Sequence, residues 1–217
     1  MTAIQVKICG LNERASIAAA LDAGADFIGA VFYPRSPRSI TAEQAKDLFA
    51  KMDHSQTKLV GLFVDPSDDL LRTVLENVDL DLIQLHGKET PERVAEIREN
   101  FKRPVMKALA IAQKEDLSAV NAYESVSDML LFDAKAPKSM KDALPGGNGL
   151  SFDWNMLADF KCARPWMLAG GLNVQNVTEA VRISGATMVD TSSGVEIKPG
   201  HKDPAAISSF IEAVRQI

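Results

Sequence analysis

Short apolar runs of strand length recur along the chain: IQVKIC (4–9), FIGAVF (27–32), KLVGLFV (58–64), LIQL (82–85), VMKALA (105–110), MLLFDA (129–134), WMLAG (166–170) and TMVDT (187–191). Between them apolar residues return at helical spacing, as in Ala15, Ala19, Leu21 and Ala23, then Leu70, Leu71, Val74, Leu75 and Val78, and later Ile207, Phe210, Ile211 and Val214. The punctuation agrees with that alternation. Thr41 opens T-A-E-Q, a capping-box pattern, while Thr90-Pro91 and Asp203-Pro204 each set a capping residue before a first-turn proline. Gly24, after the first helical segment, predicts a glycine C-cap.

Eight strand–helix units of roughly 27 residues are short but sufficient for an α/β chain closed into a (β/α)₈ TIM barrel with eight parallel strands. The reading is a single barrel domain over residues 1–217. An open doubly wound sheet uses the same alternation, but no G-x-G-x-x-G follows the first strand and eight even units suit closure better. Strand parity then orients side chains. Ile4, Val6 and Ile8 share the apolar parity that faces helices, so Lys7 and Cys9 point into the barrel. In the sixth strand Leu130 and Phe132 point outward, and Leu131 and Asp133 inward. Cys9 and Asp133 both fall near carboxyl ends of strands, the face where barrels carry their chemistry. The longest irregular stretch, Lys135 to Leu150, follows the sixth strand and is a candidate active-site loop.

Composition narrows the partners. Lys+Arg 24 against Asp+Glu 29 gives −5, no basic footprint for nucleic acid, so an anionic ligand must be held by local features. Hydrophobic residues at 46% and charged at 24% fit a globular domain rather than a disordered or fibrous chain. No apolar run approaches the roughly 20 residues of a membrane span, and the amino terminus lacks a signal-peptide pattern, so the expectation is a cytoplasmic protein without a membrane partner. Cys9 and Cys162 match neither a disulfide framework nor zinc-ligand spacing and are expected as free thiols.

Three glycine segments follow late strands: Gly146-Gly147-Asn148-Gly149, Gly170-Gly171 and Ser192-Ser193-Gly194. Glycine lets backbone N–H groups approach a phosphate, and a helix starting just afterwards adds its positive end. Loops after strands seven and eight are frequent phosphate sites in barrels. The set predicts one phosphate monoester on backbone donors, with the Ser192 and Ser193 hydroxyls as further donors. Arg38, in Ser36-Pro37-Arg38, reads equally as a solvated arginine or as a bidentate grip on a carboxylate. Cys9 alone reads as a small buried hydrophobe, whereas Asp133, ending an apolar strand, needs a partner, solvent or a task. Together they can serve as base and acid. Lys7 can favour the thiolate or form a structural ion pair, and His86 can wall the site or bond structurally.

With these residues in view, the chain closely resembles the phosphoribosylanthranilate isomerase family of tryptophan biosynthesis. The likeness runs nearly end to end: Lys7-Ile8-Cys9-Gly10-Leu11, Ser36-Pro37-Arg38, Gly61-Leu62-Phe63-Val64, Gln84-Leu85-His86-Gly87, Asp133, Ala169-Gly170-Gly171-Leu172, Val189-Asp190 with Ser192-Ser193-Gly194-Val195-Glu196, and Gly200-His201-Lys202-Asp203. The resemblance implies a barrel that rearranges N-(5-phosphoribosyl)anthranilate into the carboxyphenylamino-deoxyribulose phosphate, without metal or organic cofactor. It implies Asp133 as general acid at the ribose ring oxygen and Cys9, as thiolate, as general base at C2′. Arg38 would lie near the anthranilate carboxylate, with Lys7 and His86 among the substrate-binding groups. Gly147, Asn148, Gly149, Gly170, Gly171, Ser192, Ser193 and Gly194 would cradle the phosphate. The family's loop commonly reads Gly-Gly-Thr-Gly where this chain has Asn148, and Thr191 stands where an apolar β-branched residue is usual. The expected partner is one phosphorylated small molecule, with the chain a monomer or homodimer.

Two other readings use the same phosphate loops. A ribulose-phosphate epimerase or an indole-glycerol-phosphate lyase-like barrel would share them, but a metal-dependent epimerase needs several His and carboxylate ligands at strand ends, and only His86 is so placed. A non-catalytic sugar-phosphate sensor has no use for Cys9 with Asp133.

Overall fold

The computed structural model describes residues 3–50, 53–137, 139–140 and 144–217. The longest irregular stretch, 135–150, therefore lies partly outside the described residues. Eight strands, β1 (Gln5–Cys9), β2 (Phe27–Val31), β3 (Lys58–Phe63), β4 (Leu82–Leu85), β5 (Val105–Ile111), β6 (Met129–Ala134), β7 (Trp166–Leu168) and β8 (Met188–Thr191), form a closed parallel barrel in chain order. Closure is made by β8 against β1, with Lys7 opposite Asp190.

Helices α1 (Arg14–Asp22), α2 (Ala42–Phe49), α3 (Asp68–Asn77), α4 (Pro91–Phe101), α5 (Val120–Glu124), α6 (Val177–Ser184) and α7 (Pro204–Arg215) wrap the barrel. Their starts carry the caps read from sequence. Thr41 Oγ1 accepts the Gln44 N–H at 3.2 Å while Gln44 Oε1 accepts the Thr41 N–H at 2.8 Å, and Thr90 and Asp203 cap α4 and α7 ahead of their prolines. Gly24 takes φ of 79° after α1.

Strict alternation of strand and helix fails in one place. Between β6 and β7 the described residues supply a single 3₁₀ turn, Trp154–Leu157. The physical reason lies in the spacing: Phe152, Trp154 and Met156 recur at every second residue, which no helical face accommodates, and Pro165 closes the segment. Aromatic rings do the covering instead, with Phe132 against Phe160 at 5.6 Å and against Trp166 at 5.4 Å.

Below the strands, a repeated device pins register. Asp26, Asp81 and Asp128 each immediately precede or lead into an even-numbered strand and accept a backbone N–H of the strand before it, from Val6, Leu59 and Val105 at 2.7, 2.7 and 2.9 Å. Inside the barrel, Phe27, Val60, Leu82, Met106, Leu131, Met167 and Met188 form an apolar plug, whereas Val6, Ile8, Leu130 and Phe132 belong to the shell between strands and helices. Above the plug the inward positions turn polar, with Lys7, Gln84, Asp133 and Asp190 all buried. That change marks the site. No helix among the described residues is long and apolar enough to cross a membrane.

Candidate active site

At the carboxyl end of the barrel lies a cleft of about 750 Å³, a figure that includes space open to solvent. Cys9 from the end of β1 and Asp133 from β6 both line it, as do His86 after β4 and Arg38 after β2. Loop residues 144–150, 169–172 and 192–193 make much of the remaining wall, and Val31, Leu62, Asp190 and Thr191 at strand ends contribute to it together with Tyr33 and Val64. Parity is what aims the first two: both occupy inward positions one layer above the apolar plug.

Asp133 is held at both oxygens. Oδ1 accepts the Ala134 backbone N–H at 2.8 Å, and Oδ2 lies 3.2 Å from His86 Nε2. Gln84 Nε2 sits 3.1 Å from His86 Nδ1, so with the amide donating there, the imidazole proton resides on Nε2 and points at the carboxylate. Gly170 lets the next loop close over this pair: its φ is 91°, and a Cβ there would lie 2.8 Å from Ala134 N.

Cys9 shares its inward parity with Lys7, two residues before it on β1. The Lys7 ammonium is wholly buried and donates to Asp190 Oδ1 at 2.8 Å. Burial alone would lower the Lys7 pKa, but the charges of Asp190 and Cys9 outweigh it and hold it above its ordinary value. For Cys9 burial acts in the opposite sense and pushes the thiol up. The Lys7 charge opposes that rise, Asp190 adds to it, and Lys202 opposes it. Lys7 does not line the cleft. Of the residues expected to bind substrate, Lys7 is thus the one set beneath the cleft, with its ammonium between Asp190 and the Cys9 sulfur.

Arg38 is buried rather than solvated, at 4% exposure. Its Nε and Nη2 donate to Glu196 Oε1 and Oε2 at 2.7 and 2.8 Å, and Nη2 also reaches the Gly147 carbonyl at 3.2 Å. Gly147, with φ of 74°, is required there, since a Cβ would stand 2.5 Å from Arg38 Nη1.

Of the expected phosphate cradle, Gly147, Asn148, Gly149, Gly170, Gly171, Ser192 and Ser193 line the cleft, and Gly194 does not. Gly194 instead packs under the Leu172 carbonyl. The Asn148 side chain closes its own loop, accepting from Leu144 N at 3.1 Å and donating to Leu144 O at 2.7 Å. The Ser192 hydroxyl donates to Cys9 O at 3.0 Å. These two side chains are therefore engaged within the protein, and what they leave facing the cleft is backbone. No α-helix begins directly after Ser192. A 3₁₀ turn, Ser193–Val195, comes first, then a hairpin of β9 (Glu196–Lys198) and β10 (His201–Lys202).

Asp190, Glu196 and Lys202 received no role from the sequence. The parity argument would have found Asp190, inward beside the outward Val189. Glu196 and Lys202 reach the site through the hairpin, which no periodicity announces. Among the described residues no group of three or more His, Cys, Asp or Glu side chains converges as a metal site.

Comparison with known proteins places this arrangement. Residues 6–213 match the family model described as N-(5'-phosphoribosyl)anthranilate (PRA) isomerase. N-(5'-phosphoribosyl)anthranilate isomerase of Rhodospirillum centenum is 57% identical over 208 residues, 96% of each chain. The crystal structure of phosphoribosyl anthranilate isomerase from Thermotoga maritima superposes with a TM-score of 0.87 at 33% identity, covering 99% of this chain and 100% of that one. A further isomerase structure, in complex with reduced 1-(o-carboxyphenylamino)-1-deoxyribulose 5-phosphate, gives 0.83 at 32% identity, with 99% and 100% covered. By the extent of the family match and by its near-complete overlap with these relatives, this chain belongs to the N-(5'-phosphoribosyl)anthranilate isomerase family.

Proposed function

We propose that the chain carries out the Amadori rearrangement of N-(5-phosphoribosyl)anthranilate in tryptophan biosynthesis, as a cofactor-independent aldose–ketose isomerase of the cytoplasm with Asp133 as acid and Cys9 as base. The observation that carries this reading is the meeting of Cys9 and Asp133 in one cleft that also holds Arg38 and the glycine loops.

Asp133, protonated, gives its proton to the ribose ring oxygen. The C1′–O bond breaks, the nitrogen lone pair forms C1′=N, and an open-chain iminium results. Ala134 N–H and the His86 Nε2–H receive the carboxylate that remains. The Cys9 thiolate then takes the C2′ proton, and the electron pair of that bond forms C1′=C2′ while nitrogen recovers its own pair. Moving the 2′-hydroxyl proton to C1′ turns this enolamine into the ketone. The cycle closes when the proton on Cys9 leaves to solvent and Asp133 takes one up. Each well-placed acid or base is worth roughly 10²- to 10⁴-fold in rate. A thiol raised by burial is scarce as thiolate but strongly basic once formed, and Lys7 supplies the nearby positive charge that favours it.

Arg38 suits the anthranilate carboxylate, and the backbone of the 146–149 and 170–171 loops suits the phosphate. The test is an assay of freshly generated phosphoribosylanthranilate, with ribulose 5-phosphate and the aminoimidazole aldose of histidine synthesis as parallel substrates. The reading predicts turnover of the anthranilate substrate. Activity confined to either of the others overturns it.

A further inference from the structure

Three charged side chains next to the cleft form one buried cluster. Arg38, Glu196 and Lys202 have side chains only 5%, 4% and 0% exposed. Glu196 Oε1 is shared, taking Arg38 Nε at 2.7 Å and Lys202 Nζ at 2.8 Å, while Oε2 takes Arg38 Nη2 at 2.8 Å. Lys202 spends its other donors on Ser192, at 2.8 Å to the carbonyl and 3.0 Å to the hydroxyl. Burial alone would raise the Glu196 pKa, yet the hydrogen bonds from Arg38 and the charge of Lys202 hold the carboxyl below its ordinary value. Burial draws the Lys202 ammonium down, and Glu196 opposes the change.

Within the cluster the charge count does not balance. Two cations surround one carboxylate, and of the neighbouring groups Asp190 is matched by Lys7 while Cys9 carries a negative charge only as the thiolate. A buried positive charge without a counter-anion is costly, and an arriving anion recovers that cost. Geometry says where the anion goes. Glu196 occupies the Nε/Nη2 edge of the guanidinium, which leaves Nη1 beside Gly147 in the cleft wall. A carboxylate reaching Nη1 would take over the Nη2 donor now given to the Gly147 carbonyl.

We propose that Glu196, secured by Lys202, is the positioning residue that presents Arg38 to a single carboxylate, so that this cluster sets selectivity for a substrate whose aromatic end carries that group. The proposal rests on the functional reading above. The same excess charge could also be met by the substrate's phosphate, and the test separates the two.

The experiment compares N-(5-phosphoribosyl)anthranilate with N-(5-phosphoribosyl)aniline, which keeps the phosphate and lacks the carboxylate, on the wild type and on Glu196→Gln. The glutamine keeps the side-chain shape but turns a donor toward Arg38, so the guanidinium must swivel. On the anthranilate substrate KM should rise about tenfold or more, with kcat within about threefold. On the aniline substrate both constants should stay within about twofold of wild type. Equal losses on the two substrates, or no loss on either, overturn the proposal, since a structural or phosphate-directed role acts on both alike. Glu196→Asp, which keeps the charge but cannot reach both partners, should show a smaller loss of the same selectivity and is judged by the same criterion if Glu196→Gln does not fold. Wild-type turnover of the anthranilate substrate is the control for the functional reading, so an active wild type with unselective variants counts against Glu196 alone.

Discussion

The Cys9 sulfur and the Lys7 ammonium converge over Gly29: a Cβ on that glycine would lie 3.1 Å from Cys9 Sγ and 3.4 Å from Lys7 Nζ. The two are therefore electrostatically linked, and the sign is clear. Burial raises the thiol pKa, and the Lys7 cation lowers it. The thiolate fraction, and with it alkylation by iodoacetamide, rises as pH passes upward through that pKa. Mass spectrometry of the Cys9 peptide as a function of pH should give a midpoint above the ordinary thiol value, and Lys7→Met should move it higher still. A midpoint at or below the ordinary value, or one that falls in Lys7→Met, contradicts the linkage. The Cys162 thiol, pushed up to about 11 by burial, is followed on its own peptide.

A second buried pair braces the loop that carries His86. Lys107 Nζ donates to Glu89 Oε2 and to the Gly87 carbonyl, both at 2.8 Å, with the two side chains only 2% and 1% exposed. Glu89 in turn accepts the backbone N–H groups of Asp65 and Gly87. Removing one partner strands the other charge, so Lys107→Met should cost about 3–5 kcal/mol in urea unfolding. Asp69→Asn, which breaks the exposed pair with Arg72, should leave the urea midpoint unchanged. Equal effects from the two substitutions would refute the role of burial.

Gly147 faces Arg38 so closely that any side chain displaces the guanidinium. Gly147→Ala should raise KM for the anthranilate substrate about tenfold or more, through both the positive φ and the contact with Nη1, while leaving most of kcat. Unchanged KM would show that Arg38 is not held for substrate from this side.

Much of the fold is legible in the chain because each barrel strand is a short, mainly apolar run, and because Thr41, Thr90 and Asp203 mark helix starts with chemistry that works locally. Parity carries further, to the inward aim of Cys9 and Asp133, since alternation is a property of the backbone alone. The missing helix before β7 is equally local: alternating Phe152, Trp154 and Met156 argue against it once periodicity is counted. What local pattern cannot supply is partnership. Arg38 and Glu196 stand 158 positions apart, and nothing in either neighbourhood tells a solvated arginine from a clasped one. Ser192 and Asn148 show the same limit, as hydroxyl and amide available in sequence but engaged by Cys9, Lys202 and Leu144 in the fold.

The central claim, that Cys9 and Asp133 act together as base and acid on one substrate, is tested most directly by steady-state kinetics of Cys9→Ala and Asp133→Asn, paired with titration of each variant by the reduced carboxyphenylamino-deoxyribulose phosphate. The account predicts that each substitution lowers kcat at least about a hundredfold while affinity for that product analogue stays within about tenfold of wild type. Near-normal turnover in either variant would remove that residue from the chemistry and contradict the account.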